Sequence, residues 1–308
     1  MSEAERIPLL RLLEERAKIV SAIRRFFDGQ GFVEVETAVR IDAPAPEEHI
    51  DCPPVVGGGY LRASPELQMK KLLAAGMDRI YQIGPCFREG ERGSRHNPEF
   101  TMIEWYRKGA DYLDIREDLK SLISSLMSSR EDFRRKTGDA RVGFETLTVR
   151  DAYLRYAGWD PWGSWDVDRF DFDMATKIEP AIKEMGGRVF LMDYPPQAAS
   201  LAKISDTPST GRQAPGTTYA ERWEFYWDGI ELANCFTELC DRDEQLRRFE
   251  SAKEVRKLLK ESDYPIDYEF IDMLPLMRSA AGVALGVDRL VMVLTGVSEI
   301  AQVRVVDC

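Results

Sequence analysis

With 308 residues the chain is long enough for one large catalytic domain or two small ones around a sizeable core, and 44% hydrophobic with 31% charged residues is the composition of a soluble globular protein. A formal net charge of −11 argues against holding nucleic acid by bulk charge, though it leaves room for a local basic patch. Five cysteines with no CxxC pair and only two histidines speak against a disulfide framework and a thiolate metal centre, and no signal peptide, transmembrane run or lipidation motif is visible, so a cytoplasmic protein with reduced thiols is expected.

Leu9, Leu10, Leu12, Leu13, Ala17, Ile19, Val20, Ile23, Phe26 and Phe27 recur at near-helical spacing, which predicts an amphipathic helix over 8–30 ending at Gly29 or Gly31. Phe32 to Thr37 alternates as a strand does, and 42–59, rich in Pro, Gly and acids, reads as a loop. Ser64-Pro65-Glu66 opens a helix over 67–75, and by itself this is ordinary capping chemistry. Tyr81 to Phe87 and Phe100 to Tyr106 read as two strands joined by a charged turn over 89–97. A hairpin with Arg88, Glu91, Arg92, Arg95 and His96 in its loop suits a polyanion such as the triphosphate of ATP, because guanidinium groups bind phosphate in a bidentate fork; Phe100 can stack on a base. A solvated charged hairpin is the plainer alternative, and these residues alone do not displace it.

A second amphipathic helix is predicted over 112–137, closed by Arg134-Arg135-Lys136, either a solvated helix end or a contact for an acidic partner. Trp159, Trp162 and Trp165 fall in a stretch that reads as a packed subdomain without chemistry. Residues 188–193 read as a strand, and 205–218 as a mobile loop. The aromatic run 223–227 is strand-like, and Glu231 and Glu238 follow among apolar residues. Buried carboxylates are costly unless paired or bound to a cation, so these two are either salt-bridged or ligands for Mg²⁺. Finally, a glycine-spaced strand from Gly282 to Gly286 runs into a helix carrying Arg289, and glycines permit close backbone approach to a ligand.

Phe87-Arg88, followed by His96-Asn97-Pro98-Glu99-Phe100-Thr101 and Glu104-Trp105-Tyr106, resembles motif 2 of the class II aminoacyl-tRNA synthetases in the form used by lysyl-tRNA synthetases. The first helix with Gly31-Phe32 and Val33-Glu34-Val35-Glu36-Thr37 resembles motif 1, and Gly282 to Met292 resembles motif 3. Tyr194 to Ala202 and the Glu-x-x-Asn-x-x-x-Glu pattern Glu231, Asn234, Glu238 are similar to the same family. Three positions depart from it: Gly90 stands where the family has Glu, leaving Glu91 to substitute from a shifted loop; Ala38 replaces the closing Pro of motif 1; Cys235 replaces a Gly.

The resemblance implies an α+β fold, an antiparallel sheet flanked by helices, with 1–308 forming a single catalytic domain and motif 1 forming a homodimer interface. It implies ATP as substrate with Mg²⁺, and catalytic Arg88 and Arg289, the latter stacked on adenine opposite Phe100. Glu91, His96, Asn97, Phe100, Glu231 and Glu238 join the two arginines at ATP, and Glu231 and Glu238 share the metal. The amino acid falls to Ser64, Glu66, Tyr106, Glu231, Asn234, Ala284 and Gly286, with Glu66 offering a carboxylate to an ammonium group. No anticodon-binding domain is expected. The resemblance is therefore closest to stand-alone lysyl-tRNA synthetase paralogues that activate β-lysine and pass it to a lysine of elongation factor P, so tRNA is not an expected partner. A truncated enzyme charging tRNA or another carrier with α-lysine, and a non-catalytic binding module, are the rival readings; retention of Arg88, Glu231, Glu238 and Arg289 argues against the latter.

Overall fold

The computed structural model describes residues 3–48, 50–128, 143–206 and 217–305. Helix α1 (Glu3–Gly29) buries Ile19, Ile23 and Phe27, and Phe27 packs 5.0 Å from both Tyr81 and Trp105, which fixes the helix against the sheet. Gly31, at φ +75°, turns the chain back so that β1 (Val33–Glu34) lies parallel to β4 (Arg79–Phe87). The alternation from Phe32 to Thr37 predicts a longer strand. It stops short because, past Val35, the Thr37 amide and hydroxyl both turn to the Gln82 side-chain oxygen instead of the ladder.

A two-stranded sheet, β2 (Arg40–Ile41) with β3 (Tyr60–Leu61), closes the intervening loop, and α2 (Glu66–Ala74) follows. The buried Arg62 donates to Thr37 O and Thr37 Oγ1 and so ties the end of this segment to the sheet. Strands β4 and β5 (Glu99–Lys108) form the expected hairpin, and α3 (Tyr112–Ser128) follows, packing beside α1 against the middle of the sheet. Arg134, Arg135 and Lys136 lie outside the described residues.

From β6 (Phe144–Thr148) the chain builds a satellite core with α4 (Val149–Ala152), α5 (Val167–Asp173) and α6 (Glu179–Met185) around Tyr153, Phe170, Ile178 and Ile182. Trp159 belongs to it, its indole N–H donating to Asp173 Oδ2 at 2.8 Å, as a packed subdomain requires. Then come β7 (Arg188–Tyr194), β8 (Ile204–Ser205), β9 (Tyr219–Trp227), β10 (Ile230–Thr237), α7 (Arg242–Leu259), α8 (Tyr268–Met277), β11 (Ala280–Gly286) and α9 (Val287–Thr295).

Among the described residues the strands run β1-β4-β5-β11-β10-β9-β7-β6, with β8 on β9. The sheet is antiparallel as expected through its centre, but β1–β4 and β6–β7 are parallel, so each end is a crossover connection. α7 escaped the periodicity analysis because it is charged nearly all round and buries only Gln245, Phe249 and Arg256. Cys52, Cys86, Cys235 and Cys240 are free thiols, as expected.

Candidate active site

The register of the central strands builds the site. Glu104 on β5 pairs with Ala284 on β11, Ala284 with Asn234 on β10, and Asn234 with Glu224 on β9, which sets four side chains in one row on one face. The next row is Tyr106, Gly282, Phe236 and Arg222. Between this floor, α2 and the β4–β5 loop lies a cavity of about 360 Å³, lined by Ser64, Glu66, Arg88, Glu91, His96, Asn97, Phe100, Glu104, Tyr106, Glu231, Asn234, Ala284, Gly286 and Arg289. Every sequence-derived site residue except Glu238 is in that lining. Cys235 points the other way, into the core, so its difference from the family leaves the floor untouched.

At one end of the cavity the charge is acidic. Ser64 Oγ donates to Glu104 Oε1 at 2.6 Å, and the Tyr106 hydroxyl donates to Glu104 Oε2 at 2.8 Å. Lys70, one turn after Glu66 on α2, pairs with both Glu66 and Glu238, and its side chain and that of Glu238 are 2% and 1% exposed. Burial, then Glu66, pushes the Glu104 carboxyl up to about 7. Burial pushes Glu238 up to about 8; Lys70 opposes this, and Glu66 adds to it. Burial alone lowers the Lys70 ammonium, but Glu238 and Glu66 outweigh it and hold the group above its ordinary value. Among the described residues three carboxylates thus face one resident cation, and Oε1 of Glu238 is buried without a hydrogen-bond donor. Such a cluster is completed by an ammonium group.

At the other end the donors are cationic. The Arg88 guanidinium lies over the Phe100 ring at 5.3 Å, its Nη1 3.4 Å from Glu91 Oε1, and among the described residues neither its buried Nε nor buried Asn97 Nδ2 has a hydrogen-bond partner. Arg289 donates from Nη1 to Glu231 O and from Nε to Arg95 O, with its third nitrogen, Nη2, against His96 Nε2. Burial, then Arg289, lowers the His96 pKa, so the neutral ring accepts from Arg289. It is Arg88 that lies over the Phe100 ring, while Arg289 is held between two carbonyls and His96.

Of the expected metal pair, Glu231 on β10 lines the cavity, whereas Glu238, one residue past the end of β10, does not. Glu238 belongs to the Lys70 cluster. The carboxylate near Glu231 is Glu224, on the same face of β9; burial and then Glu224 push the Glu231 carboxyl up to about 7. Glu224 also accepts from Arg222 Nη2 and the Tyr226 hydroxyl at 2.7 Å each. Glu224 and Glu231 suit a magnesium that takes its remaining ligands from phosphate and water. Among the described residues no group of three or more His, Cys, Asp or Glu forms a protein-only metal site. Sequence reasoning missed Glu224, Lys70 and Glu104 as site residues. The signal for Lys70 was its spacing of four from Glu66; that for Glu104 was its sharing a strand face with Tyr106.

A mixed, mainly antiparallel sheet with a carboxylate-and-arginine cavity on its open face, crossed by motif 2 and motif 3, is the catalytic fold of a class II synthetase. Residues 5–306 match the family described as tRNA synthetases class II (D, K and N), and the chain belongs to it. Its relatives include proteins named elongation factor P–(R)-beta-lysine ligase. That of Proteus mirabilis is 36% identical over 326 residues, 94% of this chain and 93% of that one. Those of Yersinia enterocolitica and Vibrio cholerae are 36% and 35% identical, across 96% and 94% of this chain and 94% and 93% of theirs.

Proposed function

We propose that the chain is an ATP-dependent ligase that activates (R)-β-lysine as an adenylate and passes it to a lysine side chain of elongation factor P, the activity its relatives are named for. The observation that carries this reading is the two-ended cavity: Glu66 and Glu104 line one part of it, with Glu238 behind them on Lys70, and Arg88 and Arg289 line another. The distal ammonium sits in the acidic cluster and completes its charge. The substrate carboxylate attacks the α-phosphorus of ATP, an O–P bond forms, and pyrophosphate leaves with the bonding pair. No side-chain nucleophile is required: positioning and charge carry the step. Arg88, with its unpartnered Nε, offsets charge on the reacting phosphate, and Arg289, held by His96 and the Arg95 carbonyl, reaches the phosphate tail. Glu224 and Glu231 would hold Mg²⁺, which supplies further neutralisation of phosphate oxygens. The acidic net charge of −11 favours a protein acceptor over tRNA in this reading, with the enzyme working as a cytoplasmic homodimer. No helix among the described residues is long and apolar enough to cross a membrane.

ATP–pyrophosphate exchange with α-lysine and both β-lysine enantiomers tests the first half-reaction: (R)-β-lysine should give the highest kcat/KM, and no exchange with any of the three refutes the reading. Ala284 bears on the choice. Its methyl lies between Glu104 and Asn234 on the cavity floor. There it obstructs an amino group next to the carboxylate while tolerating one displaced by a carbon. A methyl-sized change is worth about 1–3 kcal/mol, roughly 10- to 200-fold in discrimination. Ala284→Gly should therefore raise kcat/KM for α-lysine much more than for β-lysine. An unchanged ratio would move selectivity to Ser64, Glu66 and Tyr106.

Gly282 is the close approach that the floor requires. A Cβ there would meet Tyr106 Cδ1 at 2.1 Å, so the ring must leave and its bond to Glu104 breaks. A hydrogen bond to a charged group contributes about 1.5–3 kcal/mol, so Gly282→Ala should raise the amino-acid KM about 10- to 100-fold while the ATP KM moves far less. Equal changes in both would contradict this placement.

Gly90 adopts φ +78°, which carries Glu91 into the cavity wall, whereas Glu89 is exposed. Glu91→Ala is expected to weaken ATP use more than Glu89→Ala, read as the two ATP KM values; the reverse order would remove Glu91 from the family glutamate's task.

A further inference from the structure

Beside the active-site cavity lies a second one of about 570 Å³, bounded by α7, residues 196–204 and the start of α5. Glu47, Ile50 and Arg222 line both cavities. Trp165, Phe170, Leu201 and Phe249 give the second cavity apolar walls. Gln245, 1% exposed, also lines it, and among the described residues its buried Nε2 has no hydrogen-bond partner. The arginines there are engaged. Arg222 serves Glu224, Asn234 and the Ala198 carbonyl, and Arg248 serves Glu244 and the carbonyls of Ser200 and Ala202. Glu47 is different. The buried Arg256 holds its backbone oxygen at 2.6 Å, yet the described residues give its carboxylate neither a hydrogen bond nor an ion pair. The unmatched charge at the junction is thus negative, next to an apolar channel with one unsatisfied amide donor.

We infer that this second cavity admits the acceptor polypeptide, its lysine side chain threading along the apolar walls to Glu47, and that Glu47 is the base that receives a proton from the incoming ammonium. The inference rests on the ligase reading above. A lysine ε-ammonium is no nucleophile until it gives up a proton. Glu47 takes that proton. The freed amine attacks the adenylate carbonyl, a C–N bond forms, the C–O bond to the phosphate breaks, and AMP leaves with the electron pair. The second amine proton departs to the leaving phosphate or to water. The Gln245 amide N–H is placed to donate to a backbone carbonyl of the guest. Burial, then Glu66, raises the Glu47 carboxyl above its ordinary value, against Arg88, Arg222 and Lys70, which suits a group that must hold a proton for part of the cycle.

Two variants test the inference by comparing transfer with activation in the same preparation. Ala252→Trp, or Ser251→Trp if the first does not fold, fills the second cavity from α7. Transfer of the preformed acyl group to elongation factor P should fall at least tenfold relative to pyrophosphate exchange. Transfer to hydroxylamine, small enough to bypass the cavity, should persist. Glu47→Gln should likewise lose transfer to lysine while keeping transfer to hydroxylamine, which is already uncharged at neutral pH and needs no base. Transfer and exchange moving in parallel, or neither moving, would overturn the inference. Loss of hydroxylamine transfer alongside lysine transfer in Glu47→Gln would overturn the role of Glu47 as base. Absence of wild-type exchange, or a wild-type acyl group delivered to tRNA, would instead overturn the ligase reading on which the inference rests.

Discussion

Arg88→Ala is expected to slow amino-acid-dependent pyrophosphate exchange by about 10²- to 10³-fold, the loss typical of removing one preorganised donor from a developing oxyanion. Arg88 is the first residue after β4, held over Phe100 at 5.3 Å, and its buried Nε has no partner among the described residues. A buried unmatched donor is costly, so the sheet end maintains it against a free-energy gradient that only a bound acceptor relieves. Arg88→Lys keeps the charge but loses the planar fork and the stacked contact, and should recover less than a tenth of the lost rate. Exchange within tenfold of wild type in Arg88→Ala would remove this residue from the phosphate.

Glu238→Gln is expected to be nearly as damaging, through the amine end. The substitution leaves Lys70 buried with one carboxylate fewer. Breaking a buried pair costs about 3–5 kcal/mol when no partner remains, and Glu66 still pairs with Lys70, so a loss of about 3 kcal/mol in stability is expected. Removing a carboxylate from the acidic cluster behind the cavity leaves Lys70 to repel the substrate ammonium and should raise the amino-acid KM more than about 100-fold. The effects separate in Lys70→Met/Glu238→Gln, where the lone buried charge is gone: stability should return while binding stays lost. Added Mg²⁺ should not rescue Glu238→Gln, whereas Glu224→Gln and Glu231→Gln should raise the Mg²⁺ requirement. Rescue of Glu238→Gln by Mg²⁺ would restore Glu238 to the metal.

The same cluster sets a pH dependence. The folded pKa values of Glu104 and Glu238, about 7 and about 8, lie above the ordinary 4.5. The folded state therefore binds more protons than the unfolded one between those limits. Their contribution to stability is fully present below 4.5 and is lost as pH rises through 7 and 8. An ammonium guest favours the ionised carboxylates, so amino-acid binding should release protons and tighten from about pH 6 to about pH 8.

How much of this was legible in the sequence follows from the range of each interaction. The β4–β5 hairpin, the glycine-spaced β11 and the ring of Arg88, His96, Phe100 and Arg289 are local patterns, readable from spacing and family resemblance. Glu231 and Glu238 read as a pair because they are close in sequence, whereas Glu224, which approaches Glu231, comes from β9 through a register that shifts between Glu231 and Ala233 and leaves no local signal. Lys70 looks on paper like a surface partner of Glu66 at i,i+4; only the packing of α2 over β10 shows that it also buries Glu238. Likewise, nothing in the charged run of α7 reveals that Arg256 reaches back to fix the Glu47–Asp51 segment.

The most direct measurement incubates the purified protein with ATP, Mg²⁺, (R)-β-lysine, elongation factor P and total tRNA at physiological salt, then reads the intact mass of the factor and the aminoacylation of the tRNA. The account predicts one β-lysyl group on a lysine of elongation factor P, dependent on ATP and abolished in Arg88→Ala, with the tRNA uncharged. Unmodified elongation factor P together with stable lysyl-tRNA would contradict it.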